Sequence, residues 1–187
     1  IVIPNLMGKQ EFRVLRKRPE KMTILWAGSK THRPDLEQII PVVQQTHERY
    51  NWIFMGDVPV EISSLVTRVS DVSFRNYLPT LYNLNADVGI APLIDNRFNA
   101  CKSNLKIMEY GALGMATVAS DVGPYKNSRG ALVIEGDTDG WIRELRKLER
   151  DTEWRKNVTA SRSYAEKYRV DKNIPMLVRK YNEALGI

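Results

Sequence analysis

The chain has 187 residues, 43% of them apolar, and carries 28 Lys+Arg against 22 Asp+Glu, a formal net charge of +6. That length and composition support one full hydrophobic core and therefore a single domain. The basic excess is spread along the chain, with no basic stripe, interleaved aromatics or reader motif, which excludes nucleic acid as the expected partner. A lone cysteine, Cys101, rules out an intrachain disulfide framework and fits a reducing compartment. No apolar run approaches the ~18 residues of a membrane span, and no signal-peptide pattern opens the chain. The opening IVIPN, without a methionine, reads as the continuation of something longer.

In chain order, MTILWAG (22–28) is a β-rich run ending in glycine, and RPDLEQIIPVVQQTHERY (33–50) carries Leu36, Ile39, Ile40 and Val43 at helical spacing behind Pro34. NWIFMG (51–56) reads as strand and PVEISSLVTRV (59–69) as a short helix. DVSFRNY (71–77) reads as strand, LPTLYNLN (78–85) as helix and ADVGIAPL (86–93) as strand. A helix over 103–113 precedes the strands MATVAS (115–120) and ALVIEG (131–136), and from Thr138 the chain is helical and highly charged.

Short apolar β-branched strands alternating with helices predict an α/β fold: a doubly wound, Rossmann-like parallel sheet with helices on both faces. The chain divides into an entry segment (1–20), an α/β core (21–136) and a helical C-terminal tail (137–187). In such sheets ligands sit beyond the carboxyl ends of the strands. That places candidate sites at 28–35, 56–60, 75–79, 91–104 and 120–126.

The stretch NACKSNLKIMEYGALGMATVASD (99–121) groups its polar and cationic residues at the front of an apolar helix. Ser103 or Asn104 can cap that helix, and its first-turn N–H groups with the positive dipole end make an anion site. Lys102, Lys106 and Glu109 follow at i, i+4 and i+7 on one face, while Leu105, Met108 and Ala112 can face the core. Glu109 either accepts hydrogen bonds from vicinal hydroxyls, as an acid grips a ribose, or reaches solvent. Gly111 implies close packing, against the following strand, and Gly114 a helix C-cap. In the loop GSKTHRPD (28–35), Gly28 permits close approach, Ser29 and Thr31 offer hydroxyls, and Lys30 and Arg33 offer charge for phosphate oxygens. His32 has no companions for a metal site, since His47 lies a helix away.

Together ILWAGSKTHRPDLEQI, YNLNADVGIAPLIDNRFNACKSNLKIMEYGALGMATVASDVGPY and the opening VIPN resemble the C-terminal, nucleotide-sugar-binding half of a GT-B fold, group 1 (retaining) glycosyltransferase. The likeness runs from about residue 2 to 168 and is most specific over 99–125. It implies transfer of a sugar from a nucleotide-sugar donor, with this chain as the donor-binding half and inactive without an N-terminal acceptor domain. Glu109 matches the second glutamate of the family's E-x7-E motif, which holds the ribose hydroxyls. Ser103, Asn104 and the helix start would hold the diphosphate. Arg33 falls where the family places a phosphate-binding lysine, Ser29 where it has an arginine, and Lys30 lies between them. Lys102 and Lys106 would neutralise phosphate without a metal, and no cofactor is implied. Eight residues before Glu109 stands Cys101, where the family has a glutamate that contacts the sugar, so Cys101 and neighbouring Asn99 would lie beside it. This departure leaves retaining and inverting transfer both open, and a non-catalytic binding module or an epimerase of the same fold remain alternatives. The implied location is cytoplasmic, with weak peripheral association to an anionic inner membrane face.

Overall fold

The computed structural model describes residues 4–8, 12, 17, 19–126, 128, 132–134 and 137–187. Six strands form one sheet: β1 (Thr23–Gly28), β2 (Asn51–Gly56), β3 (Thr67–Val69), β4 (Val88–Ala91), β5 (Ala116–Ser120) and β6 (Leu132–Ile134). All pairings are parallel, and the spatial order is β3-β2-β1-β4-β5-β6. The chain therefore winds outward from β1 to β3, then returns to lay β4 on the other side of β1. The order reverses between β1 and β4, where a crevice opens beyond the carboxyl ends of both strands.

Alternation along each strand explains why both faces are covered. Ile24, Trp26, Trp52, Phe54, Val88, Ile90 and Val118 point to one side, where they pack with Val42, Val43, Trp141, Leu145 and Trp154. Their neighbours Leu25, Ala27, Met55, Ala91 and Ala119 point to the other, where they meet Leu81, Ile107 and Tyr110. The first layer is formed by α2 (Ile40–Thr46) and α6 (Thr138–Lys147), the second by α3 (Phe74–Leu84) and α5 (Leu105–Ala112), with α1 (Arg33–Leu36) and α4 (Arg97–Ala100) as single turns at the crevice. This is the expected doubly wound α/β sheet.

Two long helices close the chain, α7 (Asp151–Glu166) and α8 (Val170–Leu185). Trp154 of α7 donates its indole N–H to the Asp87 carbonyl at 3.1 Å. Gly111 lies against this helix rather than against the following strand, as its sequence setting had implied: a Cβ there would sit 2.2 Å from the backbone oxygen of Ser161. Gly114 does end α5, with φ at +74°. In β4, a Cβ on Gly89 would meet the Tyr110 ring at 2.3 Å, so the glycine leaves a slot for that ring. Of the expected entry segment, Met7 pairs between α7 and α8, accepting from Val170 N–H at 2.9 Å and donating to Tyr168 O at 2.8 Å. Residues 2 and 3 of VIPN, like 131, 135 and 136 of ALVIEG, lie outside the described residues.

Five expected elements differ. The helix over 33–50 is broken into α1 and α2, because Pro41 at the start of α2 has no N–H to continue the ladder. The helix over 59–69 is only a 3-10 turn at Val60–Ile62, where Ser63 Oγ donates to the Val60 carbonyl, followed by edge strand β3. The strand over 71–77 and the helix over 78–85 are instead one helix, α3, beginning at Phe74 after Ser73. Val72 and Phe74, which made the strand pattern, are exposed, Phe74 at 95%. The helix over 103–113 starts at Leu105, two residues later than read.

Candidate functional site at the strand-order reversal

The loop after β1 and the segment between β4 and α5 face each other across the crevice, and one carboxylate ties them together. Asp35 is 2% exposed. Its Oδ1 accepts from the Ile94 N–H at 3.0 Å and Asn99 Nδ2 at 2.6 Å. Its Oδ2 lies 2.9 Å from His32 Nδ1 and accepts from Lys102 Nζ at 3.2 Å. Burial alone would raise this carboxyl, but the hydrogen bonds from His32, Ile94, Asn99 and Lys102 outweigh it and hold the group below the usual aspartate range. Asp35 was not singled out from sequence; the H-x-x-D spacing of His32 and Asp35, one turn apart, was the available signal.

Lys106 and Glu109 occupy the face of α5 turned to the same region. The Lys106 ammonium donates to the Ala27 carbonyl at the end of β1. Burial pushes its pKa down, with the nearby Lys102 charge adding to that and Glu109 opposing it. Glu109 does not reach solvent: it is 6% exposed and accepts from the Tyr77 hydroxyl at 3.0 Å. Burial, reinforced by the Glu109 charge, raises the Tyr77 phenol, which therefore stays protonated as a donor. Glu109, Tyr77, Phe74, Arg75, Pro79 and Leu105 are among the walls of a largely apolar cavity of about 490 Å³ between α3 and α5. Tyr77 also escaped the sequence reading, which had placed it in a strand.

The other expected residues divide. Asn104 takes the N-cap position of α5 but makes no capping bond, its amide donating instead to the Tyr164 hydroxyl at 2.6 Å. Ser103 and Cys101 are exposed, and Lys102 lies over the Phe98 ring at 5.0 Å. Asn99 is buried, with its amide committed to Asp35 and to the Ile94 carbonyl at 2.9 Å, so it braces the loop from beneath. Across the crevice, Ser29 Oγ bonds Thr31 Oγ1 at 2.9 Å, and Lys30 is exposed. Arg33 is turned to the β2 side, where Nε and an Nη donate to both oxygens of buried Asp57 at 2.6 Å. Among the described residues no three His, Cys, Asp or Glu side chains are grouped to hold a metal ion, and no helix is long and apolar enough to cross a membrane.

A family model described as "Glycosyl transferases group 1" matches residues 10–151. Among solved structures, the chain is similar to a glycosyltransferase from Rickettsia africae, with a TM-score of 0.67 and 14% identity over 90% of this chain and 49% of that one. It is similar to Anabaena Alr3699/HepE, solved in complex with UDP and glucose, with a TM-score of 0.67 and 12% identity over 88% of this chain and 48% of that one. It also matches the C-terminal domain of a glycosyl transferase group 1 family protein, LpcC, from Francisella tularensis, at a TM-score of 0.58 and 12% identity over 89% of this chain and 95% of that one. The chain thus spans about half the length of the first two and most of the isolated domain. No curated protein matches it. At these identities the structures show a shared fold, the Rossmann-like GT-B half expected from the sequence.

Proposed function

The chain belongs to the group 1 glycosyl transferases, and from that premise we propose that it is the donor-binding half of an enzyme that transfers a sugar from a nucleotide sugar. The observation that carries the reading is the placement of Glu109. Its buried carboxylate forms part of the wall of the cavity between α3 and α5, three residues beyond an ammonium held at the end of β1. A carboxylate so placed accepts from a pair of vicinal hydroxyls, with the nucleoside in the apolar cavity, as in ribose recognition elsewhere.

The diphosphate then lies toward the front of α5. That helix has no side-chain cap, so its leading N–H groups and dipole are open to an anion. Lys102 and Lys106 supply cationic charge, with Ser103 and Lys30 exposed nearby in sequence to the same two loops. Preorganised cations aimed at a leaving diphosphate stabilise the charge that develops as the glycosidic bond breaks, and in this reading the lysines do so without a metal. Arg33 is secondary because it is turned to Asp57 on the β2 side, and Ser29 because it carries no charge. Asn104 contributes its backbone, its side chain being turned to Tyr164. The sugar would lie near exposed Cys101, and an acceptor-binding domain of the same protein would complete the reaction. Similarity to a protein solved with UDP and glucose supports a nucleotide-sugar partner.

Thermal unfolding against a panel of nucleoside diphosphates and nucleotide sugars tests this, because a ligand that binds only the folded state stabilises it by RT ln(1 + [L]/Kd). One nucleotide should raise Tm, and Glu109→Ala should abolish the shift. A shift that survives in Glu109→Ala would refute the ribose assignment.

A further inference from the structure

We propose that the hydroxyl of Tyr125 is a further donor-site contact, giving a hydrogen bond to a diphosphate oxygen of the bound nucleotide. The proposal rests on the donor-site reading above. Tyr125 ends a 3-10 turn, Gly123–Tyr125, that follows β5. Gly123 seats this turn on the segment before α5: at its φ of +49°, a Cβ would lie 3.0 Å from the Asn99 carbonyl oxygen and 3.2 Å from Ala100 Cα. The backbone of Tyr125 is paired, its N–H donating to the Val122 carbonyl at 3.1 Å and its carbonyl accepting from Ser128 N–H at 2.9 Å. The side chain is 2% exposed, in the apolar cluster that includes Ala27, Leu93, Ile107 and Tyr110.

Burial, with the Glu109 charge adding to it, raises the phenols of Tyr77, Tyr110 and Tyr125, so all three stay protonated donors. Tyr77 donates to Glu109 at 3.0 Å, and Tyr110 reaches the Ile90 carbonyl at 3.4 Å. The Tyr125 hydroxyl has no acceptor among the described residues. A buried hydroxyl left unpaired is costly, and folded chains rarely keep one unless a group from outside completes it. The charge of Asp35 acts on this phenol as well as that of Glu109, so its oxygen is within reach of both the loop after β1 and the middle of α5. In the donor-site reading Glu109 marks the ribose, and Lys102, bonded to Asp35, marks the far end of the diphosphate. The group between them is the diphosphate itself, whose oxygens accept hydrogen bonds and complete the phenol. Lys102 and Lys106 offset the charges of the two carboxylates beside it.

Tyr125→Phe removes the hydroxyl and keeps the ring. Since nothing in the chain pairs that hydroxyl, the unliganded variant should unfold at a Tm equal to or above wild type. The nucleotide selected by the thermal panel supplies the probes, its nucleoside diphosphate and its nucleotide sugar, each titrated calorimetrically. Tyr125→Phe should bind both about tenfold more weakly or worse, the size of one bond to a charged group. The phosphorus resonances of the bound diphosphate should also differ between variant and wild type. A Tm below wild type would mean that the hydroxyl is bonded within the protein, and overturns the proposal. So does an unchanged affinity, a loss confined to the nucleotide sugar, or a loss with unmoved phosphorus resonances, which would place the bond on the sugar or the nucleoside instead. If Glu109→Ala weakens the diphosphate while Tyr125→Phe does not, this proposal alone fails. If wild type binds no nucleoside diphosphate, both readings fail. Should Tyr125→Phe not fold, wild type decides: the Tyr125 ring carbon that bears the hydroxyl must shift on adding the diphosphate, and an unmoved resonance overturns the assignment.

Discussion

Replacing Gly111 by alanine tests the contact that holds α5 against α7. In an exposed helix the change would gain ~1 kcal/mol, because glycine is the poorer helix former. Here the added Cβ would lie 2.2 Å from the Ser161 oxygen and 2.6 Å from its carbonyl carbon, both backbone atoms that no rotamer change can move. Reaching ordinary contact near ~3.5 Å requires α5 and α7 to separate by about 1 Å. Overpacking of this kind costs ~1–3 kcal/mol and more where the obstruction is rigid. Taking ~3 kcal/mol against the helix gain leaves a loss of ~2 kcal/mol, and for a domain of this size a Tm fall of roughly 4–8 °C. Differential scanning calorimetry reads this directly. A Tm equal to or above wild type would refute the close approach of α5 and α7. Under the proposed donor reading, the same separation should weaken nucleotide binding, since Lys106 and Glu109 ride on α5.

Other perturbations have equally definite outcomes. Gly114→Ala places a side chain at φ +74° and should cost ~1–2 kcal/mol, seen as a Tm fall of a few degrees. Asp35→Asn leaves Lys102 and its neighbours without a buried counter-charge, and should cost ~3 kcal/mol or more by urea unfolding at pH 7. Because the folded Asp35 pKa is lowered, its stabilisation is complete above the ordinary aspartate value and is lost as pH falls through the lower folded one. Wild type should therefore lose stability below about pH 4 more steeply than Asp35→Asn. Finally, α8 has no buried residue, so ending the chain after Asn173 should move Tm by less than about 2 °C. A larger fall would mean that α8 helps to hold the core.

Much of the fold was legible because a sheet covered on both faces leaves continuous apolar runs, and β1, β2, β4, β5 and β6 all announce themselves that way. The failures have local causes. Pro41 breaks the helical spacing within 33–50, and Ser63 competes for a carbonyl that a longer helix would need. In 71–77 the alternation of Val72 and Phe74 imitated a half-buried strand, although both side chains are exposed around the start of α3. At the site, the cationic front of α5 and the carboxylate of Glu109 could be read from helical spacing. Asp57 and Tyr77 could not, because their partners lie 24 and 32 residues away and only the folded sheet brings them near. His32 was judged only as a metal ligand, and its carboxylate neighbour one turn later was the clue.

The slot at Gly89 bears on how this site can change over time. Tyr110 follows Glu109 directly, and its ring fills the space that a side chain on β4 would take. Turning α5 by a single residue, about 100°, would eject that ring and swing Lys106 and Glu109 off the crevice. The azimuth of Lys106 and Glu109 is thus set by an empty place in a neighbouring strand. Positions 89 and 110 form one heritable unit: a larger residue at 89 becomes tolerable only alongside a smaller one at 110, and descendants that altered either alone would lose the orientation of both.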